Sequence, residues 1–214
     1  MKIPENKTLQ ELFEWRFSRT PDSVAHKFLD RETTYKELNN YSNQVANGLI
    51  ELGCKPDTRI AYYGKNSDFF FEVLIGTLKS NTVTVGVNWR LAPPEVSYVL
   101  NDSESEVLFV GADFYPVIDQ ILEDLPKIKK VVAIDGDHEN YQDYISWRNS
   151  QNSANPEIKS SPNDDILQLY TSGTTGHPKG VQLTNENFAA ANESIDGIVP
   201  VSYTHLTLPT INWV

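Results

Sequence analysis

The chain has 214 residues, 39% of them apolar and 11% aromatic, which is enough to bury a core and too hydrophobic for a disordered tail. Lys plus Arg number 18 against 29 Asp plus Glu, a formal charge of −11, so the basic face that phosphate backbones require is missing and no nucleic acid is expected as partner. Cys54 stands alone, which excludes an internal disulfide or a cysteine-based zinc site. No stretch reaches the roughly 18 apolar residues of a spanning helix, and no apolar signal core follows the first residues; a cytoplasmic protein without a transmembrane segment is expected.

Leu9, Leu12, Phe13 and Phe17 recur at helical spacing before Thr20-Pro21-Asp22 breaks the run. Val24, Ala25 and Phe28 then read as a strand, with Tyr35 near its hairpin partner. Thr34 to Leu52 is the clearest helix. Thr34 and Glu37 have capping-box spacing, Leu38, Tyr41, Val45, Leu49 and Leu52 form one apolar stripe, and Gly53 supplies a left-handed end.

The pattern then alternates. Strands are expected at Arg59 to Tyr63, Thr82 to Val87, Val107 to Val110, Lys130 to Ile134 and Ile166 to Tyr170. Helices are expected at Ser67 to Lys79, Pro93 to Leu100, Asp113 to Leu125 and Tyr141 to Trp147. Such alternation predicts an α/β fold with a mostly parallel sheet and helices on both faces. Residues 150–165 are polar, contain two prolines, and read as a surface connection.

The strand Leu167-Gln168-Leu169-Tyr170 runs directly into Thr171-Ser172-Gly173-Thr174-Thr175-Gly176-His177-Pro178-Lys179-Gly180-Val181. Glycines let the backbone turn and leave its N–H groups open, hydroxyls add neutral donors, and Lys179 brings a point charge. These are the parts of a polyphosphate holder. The spacing is not that of a Walker loop, because Pro178 before Lys179 disfavours helical geometry at His177. On composition alone, a Ser/Thr/Gly-rich linker is the competing explanation.

The full string Tyr-Thr-Ser-Gly-Thr-Thr-Gly-x-Pro-Lys-Gly-Val resembles the phosphate-loop signature of the adenylate-forming, AMP-binding superfamily. Thr20-Pro21-Asp22-Ser23-Val24-Ala25, Thr34-Tyr35-Lys36-Glu37-Leu38 and Asn88-Trp89-Arg90-Leu91 resemble earlier motifs of the same family, the last in wording close to acyl-CoA synthetases. The resemblance spans about residues 8 to 200 and implies an incomplete N-terminal part of the ligase large domain. It implies ATP, Mg2+ and coenzyme A as co-substrates of a full-length parent, and a small-molecule carboxylate as the substrate. That acid is converted to an acyl-adenylate and then to a thioester. By the same resemblance Thr171, Ser172, Gly173, Thr174, Thr175, Gly176 and Lys179 hold the β- and γ-phosphates; no catalytic residue and no metal ligand is assigned. A non-catalytic nucleotide-binding module and the adenylation domain of a peptide synthetase are the alternatives.

Other candidates are read as structural. His26, His138 and His205 have no metal-ligand spacing, and His177 is an exposed loop imidazole. Asp135-Gly136-Asp137 is a turn, Phe69-Phe70-Phe71 packs a helix into the sheet, Cys54 is inert, and Thr184 caps a helix that runs through about Ser194. Many relatives have histidine and a basic residue where Asn185 and Glu186 stand, and no catalysis is assigned there. Residues 201–214 contain no Asp, Glu, Lys or Arg and resemble one frame of a library adapter. They are expected to be a non-native tail, residues 1–200 a partial AMP-binding domain, and the fragment alone inactive.

Overall fold

The computed structural model of the protein describes residues 8–171 and 178–196, the last five as backbone. Helix α1 (Leu9–Arg19) starts where the Thr8 hydroxyl accepts the N–H of Glu11, and it turns Phe13 and Phe17 towards Tyr35, Leu38 and Ile75. Strands β1 (Val24–Phe28) and β2 (Arg31–Thr34) pair as a small antiparallel ribbon. The partner strand ends at Thr34, not at Tyr35, because Thr34 caps α2 (Tyr35–Glu51). The cap is reciprocal: Glu37 N–H donates to Thr34 Oγ1 at 3.2 Å, and Thr34 N–H donates to Glu37 Oε2 at 2.8 Å. Gly53, at φ 81°, follows the helix end.

The main sheet is built from β3 (Arg59–Tyr63), β4 (Val83–Val87), β5 (Val107–Gly111), β6 (Lys130–Ile134), β7 (Gln142–Asp143), β8 (Asp165–Thr171) and β9 (Lys179–Thr184). Its order is β7-β6-β5-β3-β4-β8-β9. Every neighbouring pair is parallel except β8 with β9. The crossovers are α3 (Asp68–Ser80), α4 (Pro93–Asp102), α5 (Tyr115–Ile121) and α6 (Tyr144–Asn149); α7 (Asn185–Asp196) follows β9.

Strand alternation divides the core into two layers. Ala61, Tyr63, Val85 and Val110 face Val96 and Val99 of α4 and Ile118 of α5. Ile60, Tyr62, Phe109 and Val132 face Val45 and Leu49 of α2, Val73 of α3, and Tyr144 and Trp147 of α6. Each such fully buried aliphatic side chain contributes about 1.5–3 kcal/mol relative to exposure. Helices therefore cover both faces over β3 to β6. The cover thins at β9, where Lys179, Gly180, Val181 and Gln182 are all exposed.

Three local expectations change. Residues 113–125 are not one helix: 3₁₀ turns at Ala112–Phe114 and Leu122–Asp124 flank a short α5. The helix expected from Tyr141 begins at Tyr144, because Gln142 and Asp143 pair with β6 and Asp143 then caps α6 by accepting Ser146 N–H at 2.8 Å. Of the three consecutive phenylalanines, Phe69 enters the sheet core and Phe71 packs on the α1 layer, since successive helical positions point in different directions.

The polar connection 150–164 has no regular structure, yet it is fastened. Asn43 Nδ2 donates to Ser153 O at 2.9 Å, Asn47 Nδ2 to Asn152 O at 2.7 Å, and Gln10 Nε2 to Ile158 O at 2.8 Å. The amide-rich outer face of α2 thus satisfies backbone carbonyls rather than only meeting solvent. Among the described residues no helix is long and apolar enough to cross a membrane.

Candidate functional site

The glycine-rich segment connects β8 to β9 as the turn of an antiparallel hairpin. Thr171 and Lys179 are register partners and form the last pair before residues 172–178. Tyr170 pairs with Gly180 and Leu169 with Val181 behind them. Since β8 runs parallel to β4, its end lies at the carboxyl edge of the parallel strands. The central strand β3 has β4 on one side and β5 on the other, so the chain reverses its winding direction there. Ligands of open α/β sheets collect outside that carboxyl edge.

Of the sequence-assigned phosphate holders, Thr171 and Lys179 face one another across the hairpin root, and both are exposed. Ser172, Gly173, Thr174, Thr175 and Gly176 lie outside the described residues, as do His177, His205 and residues 201–214. Lys179 opens a strand, not a helix, which agrees with the exclusion of a Walker loop. The strand itself was missed in the sequence, where Lys179 to Val181 read as the end of a loop. Pro178 is held from outside: Tyr98 Oη on α4 donates to its carbonyl at 3.2 Å. No local pattern marks Tyr98 as part of this site.

After the hairpin, Thr184 caps α7 by accepting Asn187 N–H at 3.3 Å, while Asn187 Oδ1 accepts Thr184 N–H at 3.0 Å. Asn185 has no exposed surface. The remaining candidates are engaged structurally. His138 stacks on Tyr141 with centroids 3.9 Å apart, and its Nε2 lies 3.2 Å from Asp119 Oδ2. Asp135 and Gly136 have φ of 60° and 145°, a turn beside Tyr115, whose hydroxyl donates to Ile134 O at 2.9 Å. His26 stacks on Phe71, and burial lowers its pKa. Burial, reinforced by Glu106, pushes the Cys54 thiol up to about 11. Among the described residues no group of three His, Cys, Asp or Glu is placed to hold a metal ion.

The AMP-binding enzyme family matches residues 13–209. The chain belongs to that family. It is 36% identical over 201 residues to the fatty acid–[acyl-carrier-protein] ligase ScoC of Streptomyces coeruleorubidus, covering 91% of this chain and 37% of ScoC. It is likewise 36% identical over 182 residues to the long-chain-fatty-acid–CoA ligase FadD13 of Mycobacterium tuberculosis, covering 84% of this chain and 35% of the relative. Among solved structures, the anthranilate CoA ligase AuaEII in complex with anthranoyl-AMP superposes with a TM-score of 0.84 at 29% identity, over 90% of this chain and 38% of that one. The chain therefore spans little more than a third of these relatives, and its architecture is that of the N-terminal part of adenylate-forming ligases.

Proposed function

We propose that this chain carries the triphosphate-holding part of an ATP-dependent carboxylic acid ligase whose thiol acceptor is coenzyme A. The observation that carries the reading is the hairpin at the carboxyl edge of the sheet, with Thr171 and Lys179 paired at the root of a glycine- and hydroxyl-rich turn. In the reaction a carboxylate oxygen attacks the α-phosphorus of ATP. The bond from that phosphorus to the bridging oxygen breaks, and pyrophosphate leaves with the electron pair. The thiol sulfur then attacks the acyl carbon, AMP departs, and the thiol proton passes to solvent.

Lys179 and the hydroxyls of Thr171, Ser172, Thr174 and Thr175, with the backbone N–H groups of Gly173 and Gly176, serve the leaving group in this reading. Their donors strengthen as negative charge accumulates on pyrophosphate, which lowers the barrier of the first step. Magnesium, when bound, would neutralise phosphate charge; the described residues supply no acidic cluster for it, so no step is assigned to it. The fatty-acid ligases among the relatives support a fatty or related acyl acid. We place the reaction in the cytoplasm and hold that the chain alone does not complete a turnover.

The test compares Mg-ATP titration of the chain with carboxylate-dependent pyrophosphate release by a full-length parent. Lys179→Ala in that parent is expected to raise the KM for ATP and slow pyrophosphate release at least tenfold. Unchanged release would remove Lys179 from the leaving-group role. ATP binding by the parent without carboxylate-dependent pyrophosphate would favour a non-catalytic nucleotide module instead.

A further inference from the structure

A string of hydrogen bonds ties the hairpin to α4 on one face of the sheet. Tyr98 Oη donates to Pro178 O at 3.2 Å, at the residue before Lys179. Tyr170, the residue before Thr171, donates its hydroxyl to Asp102 Oδ2 at 2.6 Å. Asp102 follows Tyr98 by one helical turn, so the two share a face of α4, with Asp102 Oδ1 3.4 Å from Tyr98 Oη. The two phenol rings meet edge to face, centroids 6.5 Å apart at 85°. Behind them Gln168 Nε2 donates to Tyr170 Oη at 3.1 Å, and Gln168 Oε1 accepts from Arg59 Nε at 3.2 Å.

Gly180 makes room for this string. A Cβ at that position would stand 2.5 Å from Gln168 Nε2 and 3.1 and 3.2 Å from Tyr170 Cζ and Oη. Glycine there lets Tyr170 lie across β9 and reach Asp102. The Tyr170 phenol is protonated at neutral pH, and burial with Asp102 alongside raises its pKa further. β9 is the edge strand among the described residues, so α4 supplies lateral support at the two roots of the turn.

We propose that Tyr98, Asp102 and Tyr170 are positioning residues that hold Pro178 and the Thr171–Lys179 pair, at the two ends of segment 172–177, and so preset where Thr171 and Lys179 stand. The proposal rests on the phosphate reading of that segment. A Thr171–Lys179 pair held in place before nucleotide arrives loses less freedom on binding.

The test uses the whole chain with Tyr98→Phe, Tyr170→Phe, Asp102→Ala and Asp102→Asn, the last retaining an acceptor for Tyr170. Tyr98→Phe keeps the ring packing and removes one hydroxyl, so an unchanged unfolding midpoint verifies its fold. Amide exchange over residues 171–180, measured without nucleotide, is expected to quicken about threefold to tenfold, the effect of one lost hydrogen bond. Exchange in β5 and β6 should stay as it was. Mg-ATP affinity, measured by calorimetry, should fall by a similar factor, and Asp102→Asn should recover most of it relative to Asp102→Ala. Unaltered exchange overturns the brace whatever nucleotide does. Faster exchange with undiminished ATP affinity overturns the positioning role. A wild-type chain that binds no Mg-ATP while its exchange still responds to Tyr98→Phe refutes the phosphate reading and supports the brace.

Discussion

The side-chain amide of Asn185 accepts the backbone N–H of Leu9 at 2.9 Å and donates to Ser161 O at 3.0 Å. Leu9 opens α1, so its N–H has no intrahelical partner, and the residue after the hairpin's second strand provides one. The fully buried amide joins the first helix, the polar connection and α7. This explains the asparagine in physical terms: it needs both an acceptor and a donor.

Asn185→Ala should therefore cost about 1–3 kcal/mol, because two buried backbone groups lose their partner at once. Asn185→Asp should cost at least as much, since its carboxylate still accepts from Leu9 but faces Ser161 O without a proton to donate. Urea unfolding of the three proteins checks the order; an aspartate variant as stable as wild type would sink it.

Arg148 Nη1 and Glu72 Oε2 lie 2.7 Å apart, with side chains 7% and 2% exposed, and Tyr144 Oη donates to the same Glu72 oxygen at 2.7 Å. Burial lifts the Glu72 carboxyl above its ordinary range, against the pull of Arg148. Arg148 also lies 3.8 Å from the centroid of Tyr41, so the pair locks α6 onto α2 and α3. Glu72→Gln leaves a buried guanidinium without its counter-charge and should cost about 3–5 kcal/mol. The double variant Glu72→Gln/Arg148→Met should regain much of that loss, measured as a double-mutant cycle. Additive losses would mean that the pair is not coupled.

How much of this was legible follows the range of each interaction. The α2 boundaries were readable because Thr34, Glu37 and Gly53 act within a few positions of the chain. The end of β8 was readable because glycines and hydroxyls follow Tyr170 without a break. β9 was not: Lys179 to Thr184 becomes a strand by pairing with β8, and the same letters also complete a loop motif. The roles of Tyr98 and Asp102 were hidden more deeply. Their only local trace is a spacing of four on α4, while their partners lie about 70 to 80 positions away. The same holds for Asn43 and Asn47, whose partners in the 150–164 connection lie more than 100 positions away.

Cys54 provides an inexpensive test of burial. Its thiol is shielded and pushed up to about 11, so almost none is thiolate at neutral pH. Alkylation by iodoacetamide at pH 7.5 should be at least tenfold slower in the folded chain than in urea. Equal rates would show that the Leu49–Ile60 side of the core is open to solvent.

Lys79 gives the sharpest dependence on pH. Its residue is 1% exposed, and its Nζ donates to Asn39 O at 3.1 Å, Asn39 Oδ1 at 2.6 Å and Asn43 Oδ1 at 2.5 Å, beneath the Phe17 ring. Three oxygens match three ammonium protons, yet burial pulls the pKa from 10.5 down to about 7, with Glu14 opposing weakly. Between those two values the unfolded chain holds a proton that the folded chain has released. Folding stability from this group therefore rises as pH climbs from about 7 towards 10, by at most about 1.4 kcal/mol per pH unit, and the gain is absent below 7. Lys79→Met removes the titration and takes the Lys79 donor from Asn39 Oδ1 and Asn43 Oδ1, so the variant should be weaker at pH 9 and should lose the upward slope. Urea midpoints of both proteins at pH 7, 8, 9 and 9.5 measure the difference, and parallel slopes would show that Lys79 keeps its proton throughout.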